Sequence, residues 1–536
     1  MHEGVPQGRA TAMMIRVEDA MRSVGIDLGT TYSCVISMDG ADSEEVVRND
    51  RGAELTPSVV HIDESGACSV GAEAQLRLGD DPENVVVGVK RRMGTEFPVE
   101  YAGRSFTPEG LSALILRHLA EAAAEQFGIP EGELGAVITV PAYFGVAEKE
   151  ATCAAAEIAG LKCLHLMPEP VAALHAYGLG DRPGGSSLVY DLGGGTFDVA
   201  VAEVTRGSHR VRAVDGESQL GGLDWDQRIV DLLWEQLEVL DDVDELRLDE
   251  ELIAAVDTAA ETLKRRLTGA ERAVERLRFR GRFISLELTR QQFEDVTADL
   301  VDRTLDATER VVAAAARLGA PAVEHIVLVG GSTRMPMIRR RLGEHFSWEV
   351  LLTDPDRAVA RGAAMVAAQL LAGNNQVTAG SISLSGAPIS SVLPRALGVK
   401  LHSSGDPWRE EPYVAHFLWQ NTPLPVRNHR IDIASIVDGQ QRVRVEIFEQ
   451  SGVLLSDRVL DNDLLVEGEI VLSEGLPAGS PVTLDISVGE DGMLRVTALD
   501  PRSSEPLELE AFMHGVLDDR ERAAQKQTVA SLRMVR

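Results

Sequence analysis

Two short stretches far apart in the chain combine an apolar run, an aspartate and a cluster of glycine and threonine: Val24-Gly25-Ile26-Asp27-Leu28-Gly29-Thr30-Thr31 and Leu188-Val189-Tyr190-Asp191-Leu192-Gly193-Gly194-Gly195-Thr196. Glycines let backbone N–H groups approach phosphate oxygens closely, and Thr30, Thr31 and Thr196 add hydroxyl donors. Asp27 and Asp191, at the ends of apolar strands, supply hard carboxylates of the kind that hold magnesium through its water shell. Either stretch alone also fits an ordinary hairpin with an Asp and Gly turn; the shared Asp-Leu-Gly shifts both toward a nucleoside triphosphate site. A third candidate, Gly330-Gly331-Ser332-Thr333-Arg334, follows the apolar run from His325 to Val329. Such a junction admits a planar ligand close to the backbone, with Arg334 placed to stack on it, although a strand-to-helix turn needs glycine for geometry alone. The chain has no G-x-x-x-x-G-K-[ST] and no G-x-G-x-x-G, which disfavours P-loop and dinucleotide-binding Rossmann enzymes.

The elements that must position these residues alternate, as in an α/β fold. Strands are expected at Val24 to Leu28, Cys34 to Met38, Ala136 to Val140, Leu188 to Leu192, Asp198 to Val204 and His325 to Val329. Thr107 caps and Pro108 opens a helix in which Leu111, Leu114, Ile115 and Leu119 repeat at three and four residues. Further helices are expected from about Asp249 to Leu267 and from about Thr289 to Arg317. The repeated Asp-Leu-Gly unit implies two related lobes facing a cleft. After Leu371 the composition turns to Ser, Gly and Asn, a linker over residues 373–391. Beyond it the pattern is strands only, at Tyr413 to Trp419, Arg430 to Val437, Arg442 to Phe448, Leu464 to Leu472, Val482 to Val488, Leu494 to Leu499 and Leu507 to Phe512. Turns such as Asp438-Gly439 and Asp491-Gly492 separate some of these runs, so residues 392–513 read as an antiparallel β domain. Residues 514–536 read as a short frayed helix and 1–22 as a disordered tail.

The chain of 536 residues carries 84 acidic and 52 basic side chains, a net charge of -32. That balance argues against nucleic acid or an anionic membrane as partner. Apolar residues make up 44% and charged residues 25%, the composition of a globular chain with several domains. No run reaches the roughly 18 apolar residues of a membrane span, and the first 22 residues lack the apolar core of a secretory signal. Cys34, Cys68, Cys153 and Cys163 show neither zinc-ligand nor disulfide-framework spacing, which fits small buried hydrophobes in a reducing cytoplasm.

Four segments together resemble the signatures of the DnaK-type heat-shock protein 70 family, within the actin-like ATPase superfamily. They are Gly25-Ile26-Asp27-Leu28-Gly29-Thr30-Thr31-Tyr32-Ser33, Val137-Ile138-Thr139-Val140-Pro141-Ala142-Tyr143-Phe144, Asp191-Leu192-Gly193-Gly194-Gly195-Thr196-Phe197-Asp198 and Val329-Gly330-Gly331-Ser332-Thr333-Arg334. The resemblance implies a two-lobed actin-like ATPase domain over residues 23–372, built from duplicated ribonuclease-H-like units, followed by a β-sandwich that binds peptide. It makes Lys90 the catalytic lysine that positions the attacking water, Glu169 the carboxylate that orders magnesium-bound water and Thr196 the hydroxyl beside the γ-phosphate. Asp27 and Asp191 become the magnesium-shell aspartates and Asp198 a potassium ligand. The nucleotide set it implies is Gly29, Thr30, Thr31, Tyr32, Gly193, Gly194, Gly195, Thr196, Gly330, Gly331, Ser332, Arg334 and Asp356, with Glu261, Lys264, Arg265 and Thr268 holding the adenosine from one helix. The spacing of Glu261, Lys264 and Arg265 does put them on one face. In the β domain, Val399, Ile433, Ile436 and Val443 line an apolar cleft for an extended peptide, or belong to the core, and His402 and Ile436 form an arch over it.

This chain departs from the family pattern in four ways. A Ser/Gly-rich stretch from Gly380 to Ser391 replaces the acidic-leucine linker, and His402 and Ile436 stand where methionine and alanine are usual. The sequence given ends at Arg536, where a helical lid would continue, and Lys149 replaces an arginine on the surface that receives J-domain and linker signals. The expected activity is a slow hydrolysis of ATP to ADP and phosphate with Mg2+ and K+, in a stress-response chaperone that binds unfolded polypeptide. Its expected partners are a J-domain co-chaperone and a nucleotide-exchange factor. The alternatives are a small-molecule kinase on the same fold, against which the β domain argues, and a regulator or scaffold that binds ATP without coupled hydrolysis.

Overall fold

The computed structural model describes residues 22–38, 43–101, 103–177, 185–205, 208–238, 247–279, 282–352, 354–372, 383–384, 387–388, 391–402, 411–452, 454–489, 492–499, 506–507, 509–513 and 515–535. The expected tail apart from Arg22, most of the 373–391 linker and Asp491 lie outside them.

Two sheets of one topology form the first part of the chain. In the first lobe the order is Lys162–Pro168, Leu134–Val140, Arg22–Asp27, Tyr32–Met38, Glu44–Val46. In the second it is Glu349–Leu351, Val323–Val329, Ser186–Leu192, Phe197–Thr205, Ser208–Glu217. Each sheet is a central strand flanked by antiparallel hairpin partners on one side and two parallel strands on the other. Strand Leu134–Val140, with parallel neighbours on both sides, is buried at every residue and reads as a near-continuous apolar run because both its faces are covered. Helices Glu169–Ala176 and Ala358–Ala372 lie between the two sheets, in a cluster that takes Val137 and Met167 from one and Val189, Val327 and Val329 from the other. That contact is close because Gly25 and Gly362 have no side chain. A Cβ on Gly25 would stand 2.1 Å from the Ala364 nitrogen and one on Gly362 would stand 1.8 Å from the Ala172 carbonyl oxygen.

The helix expected from Thr289 to Arg317 is two, Arg290–Val296 and Ala298–Arg317. The break falls at Thr297, whose hydroxyl turns back to the Phe293 carbonyl at 2.8 Å, a local bond that competes with helix continuation. Helix Pro108–Phe127 begins as expected, with Thr107 Oγ1 accepting from the Gly110 nitrogen at 3.3 Å.

The described residues between 397 and 513 form two antiparallel sheets face to face. One holds Tyr413–Leu418, Leu397–Leu401, Gln440–Gln450, Asn462–Leu476 and Leu509–Met513, the other Val426–Ala434, Pro481–Val488, Leu494–Leu499 and Pro506–Leu507. Alternate residues of both meet in one core, including Val445, Ile447, Ile470, Leu484 and Ile486, as sandwich packing requires. The segment 515–535 does not fray. Helix Asp519–Ser531 lies on the first lobe, and strand Arg533–Met534 pairs with Ala67–Val70. Val529 and Leu532, which the sequence reading passed over, point into the first-lobe core.

Candidate nucleotide site and domain interface

The cleft between the lobes encloses about 340 Å3, within the size range of small-molecule sites. Its wall carries Asp27, Gly29, Thr30, Thr31, Tyr32, Lys90 and Glu169 from the first lobe. From the second it takes Asp191, Gly193, Gly194, Thr196, Glu261, Lys264, Arg265, Thr268, Gly330, Gly331, Ser332, Arg334 and Asp356. The apolar side chains Leu55, Leu223, Met335 and Val359 complete it. Every expected nucleotide residue is thus brought together except Gly195 and Asp198, which stand just behind the wall.

The two glycine turns face each other almost in contact. A Cβ on Gly194 would lie 1.8 Å from Thr31 Oγ1, and one on Gly195 would lie 2.3 Å from Thr30 Cγ2. The second-lobe turn is pinned by its own backbone. Gly222 donates to the Gly193 carbonyl at 2.9 Å and Leu223 to that of Gly194 at 2.7 Å, and Ser332 Oγ donates to the Gly193 carbonyl at 2.8 Å. Thr31 Oγ1 is buried without a protein partner, as a donor reserved for a ligand would be.

At the closed end Lys90 Nζ donates to Glu169 Oε1 at 2.6 Å, both side chains almost fully buried. Around this pair stand Asp27, Asp191 and Asp198, so one ammonium faces four carboxylates. Burial and then the Glu169 charge push the Asp27 carboxyl up to about 7, against the pull of Lys90 and of the Thr139 hydroxyl. Burial and then the Glu169 charge raise both Asp191 and Asp198 well above the usual carboxylate range, and at Asp191 the charges of Asp198 and Asp27 add to the rise. Burial alone would pull Lys90 down, but Glu169 and Asp27 outweigh it and hold it above the ordinary lysine value. A site this rich in negative charge invites a cation. Among the described residues no three His, Cys, Asp or Glu side chains converge on one metal position. The carboxylates of Asp27, Asp191 and Glu169 lining the cleft are hard oxygen donors of the kind that receive a hydrated magnesium ion beside a phosphate. Asp198 Oδ1 accepts from the Tyr143 nitrogen at 3.3 Å while its Oδ2 is buried without a partner.

At the open end the helix Glu250–Leu267 presents its one-faced set. Lys264 Nζ donates to the Gly222 carbonyl at 2.8 Å and to Asp226 at 2.6 Å. Arg265 reaches across the cleft to the Tyr32 hydroxyl at 3.0 Å. Arg334, expected to stack on a planar ligand, is paired through its guanidinium with Asp356. Sequence reasoning missed Arg91. Its Nε donates to the Gly195 carbonyl at 2.6 Å and its Nη2 to Asp224 at 2.5 Å, so consecutive residues 90 and 91 serve opposite lobes. Only its adjacency to Lys90 marked it.

The β-sandwich sits against both lobes, through residues 146–149 of the first and Val214 of the second. Val146 enters the sandwich core, and Arg395 joins Glu148 of the ATPase at 2.8 Å to Glu449 of the sandwich at 3.1 Å. Asn421 Oδ1 accepts from the Val214 nitrogen at 2.9 Å. Lys149, expected on an open surface, is buried here against Gly492. Of the expected peptide-cleft residues, Val399, Ile433 and Val443 are brought together, but inside the sandwich core, because strand alternation turns all three inward. His402 and Ile436 are half-buried.

A duplicated α/β domain with a polar cleft between its lobes, carrying a docked β-sandwich, defines a two-lobed nucleotide-cleft protein. The sequence pattern of the family described as Hsp70 protein matches residues 23–100 and 97–530. The chain is 36% identical over 488 residues to the chaperone protein DnaK of Thermotoga petrophila, covering 89% of this chain and 78% of that one. It is equally identical over 487 residues to the chaperone protein DnaK of Thermosipho melanesiensis, covering 89% and 78%. This chain belongs to the Hsp70 family.

Proposed function

We propose that this chain is an ATP-dependent chaperone that binds magnesium ATP in the interlobe cleft, hydrolyses it slowly, and couples the nucleotide to an extended polypeptide held by the β domain. The observation that carries the reading is the buried Lys90–Glu169 pair set among Asp27, Asp191 and Asp198, behind two facing glycine-threonine turns. In this reading the turn N–H groups and the Thr30, Thr31 and Thr196 hydroxyls hold phosphate oxygens. Lys90 orients the attacking water and offsets charge at the γ-phosphate, while Glu169, Asp27 and Asp191 receive the hydrated ion. Magnesium, when bound, neutralises phosphate charge. Asp198, with its partnerless Oδ2, suits potassium. Glu261, Lys264, Arg265 and Thr268 face the adenosine.

The domain division goes with it: ATPase over 23–372, linker over 373–391, peptide-binding sandwich over 392–513. For a peptide to reach Val399, Ile433 and Val443 the sandwich must part near His402 and Ile436. A J-domain co-chaperone, a nucleotide-exchange factor and a reducing cytoplasm complete the proposal; among the described residues no helix is long and apolar enough to cross a membrane.

Single-turnover hydrolysis of magnesium ATP, with and without an apolar extended peptide and beside Lys90→Ala, tests it. The expected result is a peptide-accelerated rate that falls at least about 100-fold in Lys90→Ala with nucleotide affinity kept. Nucleotide binding without phosphate release would overturn the hydrolysis. Hydrolysis indifferent to peptide would leave an uncoupled regulator as the better reading.

A further inference from the structure

The segment 515–535 joins two sheets that belong to different domains. It leaves strand Leu509–Met513, the edge of the larger sandwich sheet, and ends in strand Arg533–Met534, the edge of a small first-lobe sheet. We infer that this segment is a clasp that fastens the β-sandwich to the first ATPase lobe, with the edge of strand Ala67–Val70 as its catch. The docked arrangement is then held at the tail as well as at Arg395, independently of the linker.

Three kinds of contact build the catch. Arg533 donates its N–H to the Gly66 carbonyl at 3.1 Å and Val535 to the Cys68 carbonyl at 2.7 Å, the main-chain mode by which a sheet edge takes an extended segment. Val529 and Leu532, three residues apart, are 2% and 4% exposed within the first-lobe core. Gln525 fills a notch that exists because Gly110 has no side chain. A Cβ there would lie 2.3 Å from Gln525 Oε1, and Gln525 Nε2 donates to the Ser105 carbonyl at 3.2 Å.

The helix in between has 13 residues and a capping box from Asp518. A free helix of that length is marginal in water, so its order depends on the lobe beneath it. At the start of the segment Gly515 has φ +73, and a Cβ on it would stand 2.2 Å from the Gly94 carbonyl oxygen. At Gly515 the chain therefore lies in close contact with the Gly94 carbonyl of the first lobe.

The inference stands on packing and does not rest on the hydrolysis reading. Amide exchange on the full chain tests it, without nucleotide and with magnesium ATP. In the native protein Arg533 and Val535 should exchange at least about 100-fold slower than unstructured chain in both states. The double substitution Arg533→Pro and Val535→Pro removes both ladder donors. It should free residues 519–531 and speed exchange of residues 146–149 at the interface by about 10-fold or more, while strand Leu134–Val140 keeps its protection.

Because the proline variant could fail to fold, Met534→Cys supplies a second arm. Residue 534 pairs with Cys68, and refolding from denaturant in a glutathione redox buffer, where both thiols are accessible before they are buried, should link them, as peptide mass mapping would read. Tail exchange at the unstructured rate in the native protein overturns the clasp. So does a freed tail with the 146–149 segment unchanged, or a Met534→Cys protein that refolds in the redox buffer without the link.

Discussion

Replacing Arg395 by methionine should loosen the contact between the β-sandwich and the ATPase by about 3–5 kcal/mol at pH 8, the cost of leaving buried charges without their partner. Arg395 is the one guanidinium between Glu148 and Glu449, at 2.8 and 3.1 Å. Burial and the Glu148 charge push the Glu449 carboxyl up to about 7, although Arg395 and the Val146 N–H pull it down. Asp463, raised by its own burial, and the Tyr143 phenol complete the surroundings. A carboxyl whose docked pKa is raised binds more protons docked than free. Its contribution is therefore full below about 4.5 and is lost as pH rises through about 7. From pH 5 to pH 8 the contact should weaken by about 2–3 kcal/mol, a 30- to 100-fold rise in opening.

Glu449→Gln keeps an acceptor for the Val146 nitrogen and abolishes the titration, so it should dock at least as well as the native protein and show no such slope. The assay is deuterium exchange of residues 146–149 and 393–397, corrected for the intrinsic pH dependence of amide exchange. A native opening constant that is flat or falls with pH would refute the reasoning, as would an Arg395→Met protein that opens no more often than the native one.

Gly194→Ala places a methyl where only 1.8 Å separates it from Thr31 Oγ1; the lobes cannot close fully, and nucleotide affinity by calorimetry should fall at least about 10-fold. Arg91→Ala removes two bonds from a charged donor across the cleft, each worth about 1.5–3 kcal/mol. Release of a fluorescent ADP should quicken by about 10-fold or more, and an unchanged release rate would sink the assignment of Arg91 as a cross-lobe tie. Asn421→Ala leaves the buried Val214 N–H without its acceptor, and exchange at that amide should rise by the equivalent of about 1–3 kcal/mol.

The parts of this protein that were legible in the sequence are those whose physics is local. The Asp-Leu-Gly turns at Asp27 and Asp191, each followed by threonine, announce themselves because a phosphate-facing turn needs glycine and hydroxyl residues close together, and short apolar runs lead into them. Lys90 and Glu169 have no such signature. Each is a charged residue in an unremarkable stretch, and only the family resemblance singled them out before the fold buried them together. Arg91, Arg395 and Glu449 were missed for the same reason. A pair separated by 104 residues or by 54 leaves no periodic mark.

Inward-facing positions were legible as apolar but not as to what they would face. Val399, Ile433 and Val443 alternate correctly for a strand, yet alternation cannot distinguish a cleft wall from the inside of a sandwich. The segment 515–535 makes the strongest case. Its composition is polar and its free helix would be marginal, so composition and length read it as frayed. Its order comes from Val529 and Leu532 entering a core built by residues some 400 positions earlier, and from a notch at Gly110 shaped for Gln525. Tertiary contact supplies there what propensity withholds. The same dependence makes the segment sensitive to the state of the lobe beneath it, so tail exchange should report domain separation from the opposite end to Arg395.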